Sequence, residues 1–236
     1  MNKESFRLQL LEDGMELSSA QLEQFEHYLH LIQEWNQKMN LTAITDDAGI
    51  WEKHFYDSVV PFLHTSFATL CDVGSGAGFP GIPAAIVWPD RHFTLVEPLA
   101  KRCRFLNEVK EQLGLHNVTI VNARAEDYVK DHRCEFDAVS ARAVARLSIL
   151  MELCIPLLKD DGTFIALKGA AGHEELANAK PALRALHVRL DHEEAFELGS
   201  EGSRINFYFK KSAPTPAKYP RAYGVIKKKP LEETNG

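Results

Sequence analysis

The stretch Leu70-Cys71-Asp72-Val73-Gly74-Ser75-Gly76-Ala77-Gly78-Phe79-Pro80-Gly81-Ile82-Pro83 decides how the rest of the chain is read. A short apolar run that passes an acid and enters glycines predicts a buried strand, a tight turn, and a helix opening at Pro80 or Gly81. Glycine is needed in such a turn because the backbone takes angles that a Cβ forbids, and because a ligand must come close to the main chain. In an α/β protein that is where a nucleotide-like cofactor is held.

Two cofactor classes use such a loop. Gly76, Gly78 and Gly81 fit G-x-G-x-x-G, and Glu97 follows where an acid would hold a ribose hydroxyl of a dinucleotide. Asp72 and Gly74 extend the pattern to D-x-G-x-G-x-G, which resembles motif I of the class I S-adenosylmethionine-dependent methyltransferases and is the more complete match. A dinucleotide sets a pyrophosphate on the helix N-terminus. S-adenosylmethionine has no phosphate; it offers an ammonium, a carboxylate and a cationic sulfonium, so an acid at the strand end suits the ammonium. Asp72 is expected to take that role, the alternative being a turn or capping carboxylate.

Outward from this loop, strand and helix alternate. Strands are expected at Leu70–Val73, Phe93–Glu97, Val118–Val121, Phe136–Ser140 and Thr163–Leu167, with helices at Gly81–Trp88, Lys101–Leu113, Leu147–Leu158 and Glu174–Leu186. His187–Leu190 and Arg204–Phe209 read as two final antiparallel strands. The pattern predicts a Rossmann-like, seven-stranded, mostly parallel sheet with helices on both faces. Ligands in such a sheet sit beyond the carboxyl ends of the strands. Gly74 to Phe79, Glu97, Ala125, Glu126, Ser140 to Arg142 and Lys168 all fall there. Glu97 is expected at the ribose hydroxyls and Ala125-Glu126 at the adenine edge. Arg142 and Lys168 are expected to line the acceptor side, where a phosphate or a guanine O6/N7 edge would answer their charge; the alternative is an ion pair with Glu97, Glu126 or Asp137.

Residues 1–64 carry apolar residues at three- and four-residue steps, Leu22, Phe25, Leu29 and Ile32 among them, and predict an N-terminal helical extension. Its second helix is expected to start at Ser18 or Ser19 with Glu23 nearby and to end near Met39-Asn40. A short helix, Trp51–Ser58, sets His54 and Asp57 three residues apart, facing substrate or forming a local pair. The rest divides into a methyltransferase domain, 65–211, and a basic tail, 212–236. At 236 residues and 45% hydrophobic, the chain can bury one good-sized core with an extension. No stretch nears the roughly 20 apolar residues of a membrane span, and no signal region is visible at the start. A cytoplasmic protein without membrane contact is expected. Four scattered cysteines and no ligand spacing give no metal site.

The net charge of −6 conceals an asymmetry. From Arg204 onward there are eight Lys or Arg against Glu232 and Glu233, so the remainder carries −12. A basic end on an acidic chain points to a polyanionic partner, with Lys218, Arg221, Lys227, Lys228 and Lys229 as the expected RNA contacts. A solvated tail is the alternative.

Asn40-Leu41-Thr42, His54-Phe55-x-Asp57-Ser58, the loop Asp72–Pro83, Lys101-Arg102-x-x-Phe105-Leu106, Arg142-Ala143-Val144-Ala145 and Pro214-x-Pro216-x-Lys218-Tyr219-Pro220-Arg221 together resemble the bacterial small-subunit ribosomal RNA guanine-N7 methyltransferases, formerly called glucose-inhibited division protein B. The resemblance covers nearly the whole chain. It implies S-adenosylmethionine as cofactor, guanine 527 of 16S ribosomal RNA, free or in the small subunit, as acceptor, and cofactor contacts at Gly74, Phe79, Ala125, Glu126 and Arg142. Glu97-Pro98 stands where many relatives carry Asp-Ser. After the fourth strand, Ser140-Ala141-Arg142-Ala143 replaces the Asn/Asp-Pro-Pro-aromatic motif of enzymes that methylate exocyclic amines. Guanine N7 has a free lone pair and no proton to lose, so positioning can serve as catalysis. The alternatives are a nicotinamide-dependent oxidoreductase and a non-catalytic RNA-binding module. A monomer is expected.

Overall fold

Apolar side chains at alternate strand positions separate into two layers, one on each face of a single sheet. Along β1 (Thr69–Val73), Leu70 packs into one layer while Cys71 and Val73 enter the other, as a strand's period of two requires. The computed structural model describes residues 1–199 and 202–233. Residues 200–201 of the expected methyltransferase domain and 234–236 of the expected tail therefore lie outside the described residues.

The further strands are β2 (His92–Val96), β3 (Val118–Val121), β4 (Phe136–Arg142), β5 (Leu158–Lys168), β6 (Val188–Glu197) and β7 (Ser203–Lys211). Their order is β3-β2-β1-β4-β5-β7-β6; β1 to β5 run parallel, and β7 is antiparallel to β5 and β6. The doubly wound dinucleotide fold orders its strands 3-2-1-4-5-6. The antiparallel β7 between β5 and β6 departs from that order, which turns the topology away from the oxidoreductase alternative. After β1 the chain builds β2 and β3 on one side and returns to build β4 on the other. The carboxyl ends of β1 and β4 thus flank a topological switch point, where such sheets hold ligands.

Several elements differ from expectation. The helix expected at Glu174–Leu186 is two, Gly172–Asn178 and Lys180–Leu186, because Pro181 opens the second. The helix from Leu147 ends at Cys154, and a 3-10 turn through Pro156 delivers Leu158 directly into β5. β5 begins earlier than its apolar run because Leu158 pairs with Phe136 ahead of a bulge, and β6 runs beyond its own because His192 to Glu197 still pair with β7. The second helix, Ser19–Asn36, starts from Ser18, whose capping partner is Gln21 rather than Glu23.

One layer contains the helices Gly81–Val87 and Ala100–Gln112 together with the N-terminal helices Lys3–Glu12 and Ser19–Asn36. The extension is knitted into that layer by polar contacts as well. The Gln21 side chain donates to the carbonyls of Ile86 and Val87, and the Tyr28 hydroxyl, fully buried, donates to the Ala77 carbonyl in the glycine loop. Gly78 sits beside that hydroxyl at φ +98°, and a Cβ there would come within 2.6 Å of it. Between the extension and β1 runs a helical segment, Asp47 to Phe62, whose middle, Ile50–Tyr56, is π-helical. A π turn inserts an extra residue and redirects the chain beyond it. The opposite layer holds the helix Leu147–Cys154, the pair Gly172–Asn178 and Lys180–Leu186, and a short tail helix, Tyr223–Lys228. Among the described residues no group of His, Cys, Asp and Glu could hold a metal ion, and no helix is long and apolar enough to cross a membrane.

Replacing Tyr28 by Phe leaves the Ala77 carbonyl buried without its donor, which costs about 1–3 kcal/mol. Urea unfolding is expected to show a loss of that size at unchanged m-value; no loss would mean that the extension is not tied to the loop through this bond.

Candidate active site

Two cavities open at the carboxyl ends of the parallel strands, separated by the turn Ala143–Val144 that follows β4 and lines both. Gly74 shows why the turn can sit there. A Cβ on Gly74 would lie 2.5 Å from Cγ2 of Val144, and the residue holds φ +73°. Both facts demand glycine. Ala143 itself is left-handed at φ 56°, a strained setting for a residue with a Cβ. The loop leaving β1 and the loop leaving β4 are therefore fitted against each other.

The first cavity, about 350 Å³, is floored by Val73, Gly74 and Val96 and walled by Glu97, Ala125 and Glu126. Glu97 directly follows β2 and is only 1% exposed. One of its oxygens accepts the Gly76 N–H at 2.9 Å, the other the Leu99 N–H at 2.9 Å, and the Arg102 guanidinium stands 3.9 Å away. A carboxylate oxygen has a second lone pair, so both can still accept from hydroxyls in the cavity. Leu99 and Val144, two of the large apolar side chains that remain exposed, line the same space.

The second cavity, about 480 Å³, is lined by Lys53, Arg142, Lys168 and Arg204 together with Asp57, Glu175 and His54. Arg142, the last residue of β4, donates to Asp57 at 3.0 Å and to the Lys53 carbonyl at 3.2 Å. Its other amine approaches Nδ1 of His54 at 3.4 Å. Arg204 from β7 stands 3.6 Å from the second oxygen of Asp57. Lys168, at the end of β5, donates to Glu175 at 2.7 Å and to the Ala145 carbonyl at 2.8 Å. The ion pairs considered from sequence were with Glu97, Glu126 or Asp137; the partners are Asp57 and Glu175. Asp137 lies at the other end of β4 and takes Lys159 at 2.6 Å instead.

His54 is stacked on Phe79 at 4.4 Å between ring centroids. Burial and the nearby Arg142 charge push it down to about 3, so the ring is neutral at physiological pH. Nδ1 faces the Arg142 amine at 3.4 Å and Nε2 the Thr42 hydroxyl at 2.7 Å. Phe79 has the Arg142 guanidinium 4.9 Å from its ring centre. A smaller cavity of about 200 Å³ follows the loop past Gly74, Gly76 and Phe79 to His54 and Arg142, and so reaches the walls of the other two.

Asp72 is the residue whose setting differs most from expectation. Its side chain is wholly buried and lines none of these cavities; the Ser140 hydroxyl donates to one oxygen at 2.9 Å and the Gly81 N–H to the other at 3.3 Å. The carboxylate expected to meet an ammonium instead joins β1 to β4 and to the helix after the loop. Gly78 also lies off the cavity walls, its role being the contact with Tyr28.

The tail is neither a solvated appendage nor a uniform cationic arm. Arg133 donates to the carbonyls of Thr215 at 2.8 Å, Pro216 at 3.1 Å and Tyr219 at 2.6 Å. Arg221 forms a two-pronged pair with Glu152 at 2.8 and 2.7 Å, and its backbone N–H adds a third bond at 2.9 Å. Glu152 is fully buried, so Arg221 is an anchor of the tail rather than a free cation for RNA. Lys218, Lys227, Lys228 and Lys229 are exposed. Sequence reasoning missed Lys53, Arg102, Arg204 and Tyr223 as cavity residues. The local signs of the tail's docking were Ser148 and Glu152, polar residues inside the otherwise apolar helix Leu147–Cys154.

Residues 21–201 match the family model described as rRNA small subunit methyltransferase G. A ribosomal RNA small subunit methyltransferase G of Lysinibacillus sphaericus (strain C3-41) is 50% identical over 238 residues, covering 98% of this chain and 100% of that protein. One of Listeria monocytogenes serotype 4b (strain F2365) is 45% identical over 238 residues, covering 98% and 100%. Among solved structures, M. jannaschii TYW2 in complex with AdoMet is similar with a TM-score of 0.56 at 16% identity, covering 72% of this chain and 79% of that one. A SAM-dependent O-methyltransferase from Thermotoga maritima gives 0.54 at 17% identity, covering 79% and 73%. At such identities the likeness is one of fold, a class I methyltransferase sheet with flanking helices.

Burial pushes the Asp72 carboxyl up to about 6, against the hydrogen bonds that favour its ionised form. The fold therefore prefers the protonated acid, and its stabilising contribution is complete below the unfolded carboxyl's range and is lost as pH rises through about 6. The shift corresponds to about 3 kcal/mol. Unfolding free energies of the wild type and Asp72→Asn, measured from about pH 4 to pH 7, are expected to diverge, with the wild type losing ground by up to that amount. Parallel curves would show that Asp72 titrates as an ordinary carboxyl.

Proposed function

The chain belongs to the rRNA small subunit methyltransferase G family, and we propose that it transfers a methyl group from S-adenosylmethionine to N7 of a guanine in 16S ribosomal RNA, guanine 527 by the family resemblance. The observation that carries this reading is the meeting of the two cavities at Ala143–Val144, with a buried carboxylate on one side and a cationic wall on the other.

The residues of the first cavity fit the cofactor. Glu97 is placed to accept from both ribose hydroxyls, and Ala125 and Glu126 to meet the adenine edge. Gly74 and Gly76 let the methionine portion lie against the backbone beside Phe79 and Arg142, where a Cβ on Gly74 would collide with Val144. S-adenosylmethionine, when bound, would supply the methyl group on its sulfonium for the lone pair of guanine N7 to accept.

The second cavity takes the acceptor. Arg142 and Lys168 position an anionic or O6/N7-bearing substrate there, with Lys53 and Arg204 adding to the cationic wall. N7 loses no proton on methylation, so the site needs no general base. Alignment of N7 with the methyl group, in a site that excludes water, is the work left to the protein. Lys218, Lys227, Lys228 and Lys229 extend the cationic surface for RNA phosphates. The layout proposed is an extension, 1–64, a methyltransferase domain, 65–211, and a tail, 212–236, working as a monomer in the cytoplasm.

Label from S-adenosylmethionine is expected to appear as 7-methylguanosine when small subunits or protein-free 16S RNA are supplied. Label in another nucleoside would overturn the N7 assignment, and failure to bind the cofactor would overturn the methyltransferase reading. Glu97→Ala removes charged acceptors worth about 1.5–3 kcal/mol each. It is expected to weaken cofactor binding by at least about tenfold in calorimetry, whereas substituting Lys227, Lys228 and Lys229 together flattens the salt dependence of RNA binding.

A further inference from the structure

One wall of the Glu97 cavity comes from the far end of the chain. Tyr223, the first residue of the tail helix Tyr223–Lys228, lines the cavity with Leu99, Ala125, Val144 and Leu153. We propose that Tyr223 is the aromatic wall against which the adenine ring of S-adenosylmethionine lies, and that the tail is a strap holding this wall in place. The inference rests on the proposed cofactor reading and adds a residue and an element to that site.

Adenine is a flat ring with two apolar faces and a polar edge. A site for it needs apolar or aromatic surfaces for the faces and polar groups at the rim. The cavity supplies the apolar surfaces through Leu99, Val144 and Leu153, of which Leu99 and Val144 are exposed. Tyr223 supplies the aromatic ring, and the Arg124 guanidinium stands 5.7 Å from its centre, on the cavity's rim.

A helix of six residues does not hold itself together in water, so the position of Tyr223 must come from its anchors. There are three around it. Arg221, two residues earlier, is locked to the buried Glu152 of the helix Leu147–Cys154, whose neighbour Leu153 lines the same cavity. Arg221 also donates to the Lys229 carbonyl at 3.0 Å, joining the two ends of the tail helix. Ile226, three residues later, is fully buried in the core layer. Beyond the helix, Glu232 accepts from Ser148 at 2.6 Å and from Arg146 at 2.8 Å, at the other end of the same supporting helix. A buried Glu–Arg pair is a weak source of stability on its own. Its geometry here fixes the placement of one ring.

The test uses the full chain and two probes, S-adenosylhomocysteine and methylthioadenosine, which share adenine and ribose but differ in the amino-acid portion. Titration calorimetry of Tyr223→Ala is expected to show both dissociation constants raised by about tenfold, the order of one base–aromatic stack. Tyr223→Phe keeps the ring and is expected to bind both as the wild type does. Unchanged affinity in Tyr223→Ala, or a loss confined to S-adenosylhomocysteine, would overturn the assignment. So would an equal loss in Tyr223→Phe, which would mean that the hydroxyl and not the ring matters. Thermal unfolding of the unliganded variants separates these results from a misfolded tail. If the wild type binds neither probe, the cofactor reading itself falls, and the assignment with it.

Discussion

A carboxylate enclosed in protein needs hydrogen-bond partners, because an ion taken from water costs several kcal/mol unless its lone pairs are satisfied. Asp72 finds its partners in Ser140 and Gly81, and the consequence reaches across the site. Asp72 pairs with Ser140 in the β1–β4 register, at the place where the chain leaves the sheet in one direction and later resumes it in the other. Backbone pairing there has no short connection to support it. Ser140 precedes Arg142 by two residues, and Gly81 ends the glycine loop. One buried group therefore sets the strand end that presents Arg142 and the end of the loop that cradles the first cavity. The contact of Gly74 with Val144 needs both loops in register, and so depends on the same group.

The parts of this arrangement that were legible in the sequence are those encoded over a few residues. The glycines after β1, the acid after β2 and the alternation of strand and helix all have local causes, and they place Gly74, Glu97, Ala125 and Glu126 on one cavity. What was not legible depends on partners far along the chain. Asp72 meets Ser140 at a separation of 68 residues and Arg221 meets Glu152 at 69. An acid at a strand end reads equally well as a ligand group or as a latch, and only the burial of the side chain decides. The π-helical turn Ile50–Tyr56 left no trace in the apolar periodicity, yet it lies where the extension turns His54 and Asp57 toward Arg142.

The tail illustrates why counting charge is not the same as reading it. The eight basic residues from Arg204 onward looked like one surface. Arg204 lines the second cavity, Lys211 is buried against β5, Arg221 is neutralised inside the fold, and the lysines at Lys227–Lys229 remain outside. Arginine's planar fork suits the buried position, since it can satisfy both oxygens of Glu152 at once, whereas the flexible, strongly hydrated lysines belong at the surface. The division follows from the chemistry of the two side chains, once the partner of each is known.

The electrostatics of the second cavity agree with a reaction that moves a positive charge without releasing a proton. Under the proposed transfer the charge begins on sulfur and ends on the guanine ring. A further unscreened cation beside that path would oppose it at both ends. Arg142 borders the glycine loop and is held by the Asp57 carboxylate and the Lys53 carbonyl, with Nδ1 of His54 at 3.4 Å. His54, which stacks on Phe79 in the same corner, is held neutral by burial and by Arg142 itself. The two carboxylates, Asp57 and Glu175, each sit against cations of the wall. Asp57 comes from the N-terminal extension, Arg142 from β4 and Arg204 from β7, so the charge balance of the second cavity is assembled by three parts of the chain. That requirement explains why the extension shares a core with the sheet: a separately mobile extension would carry the counterion of Arg142 away with it.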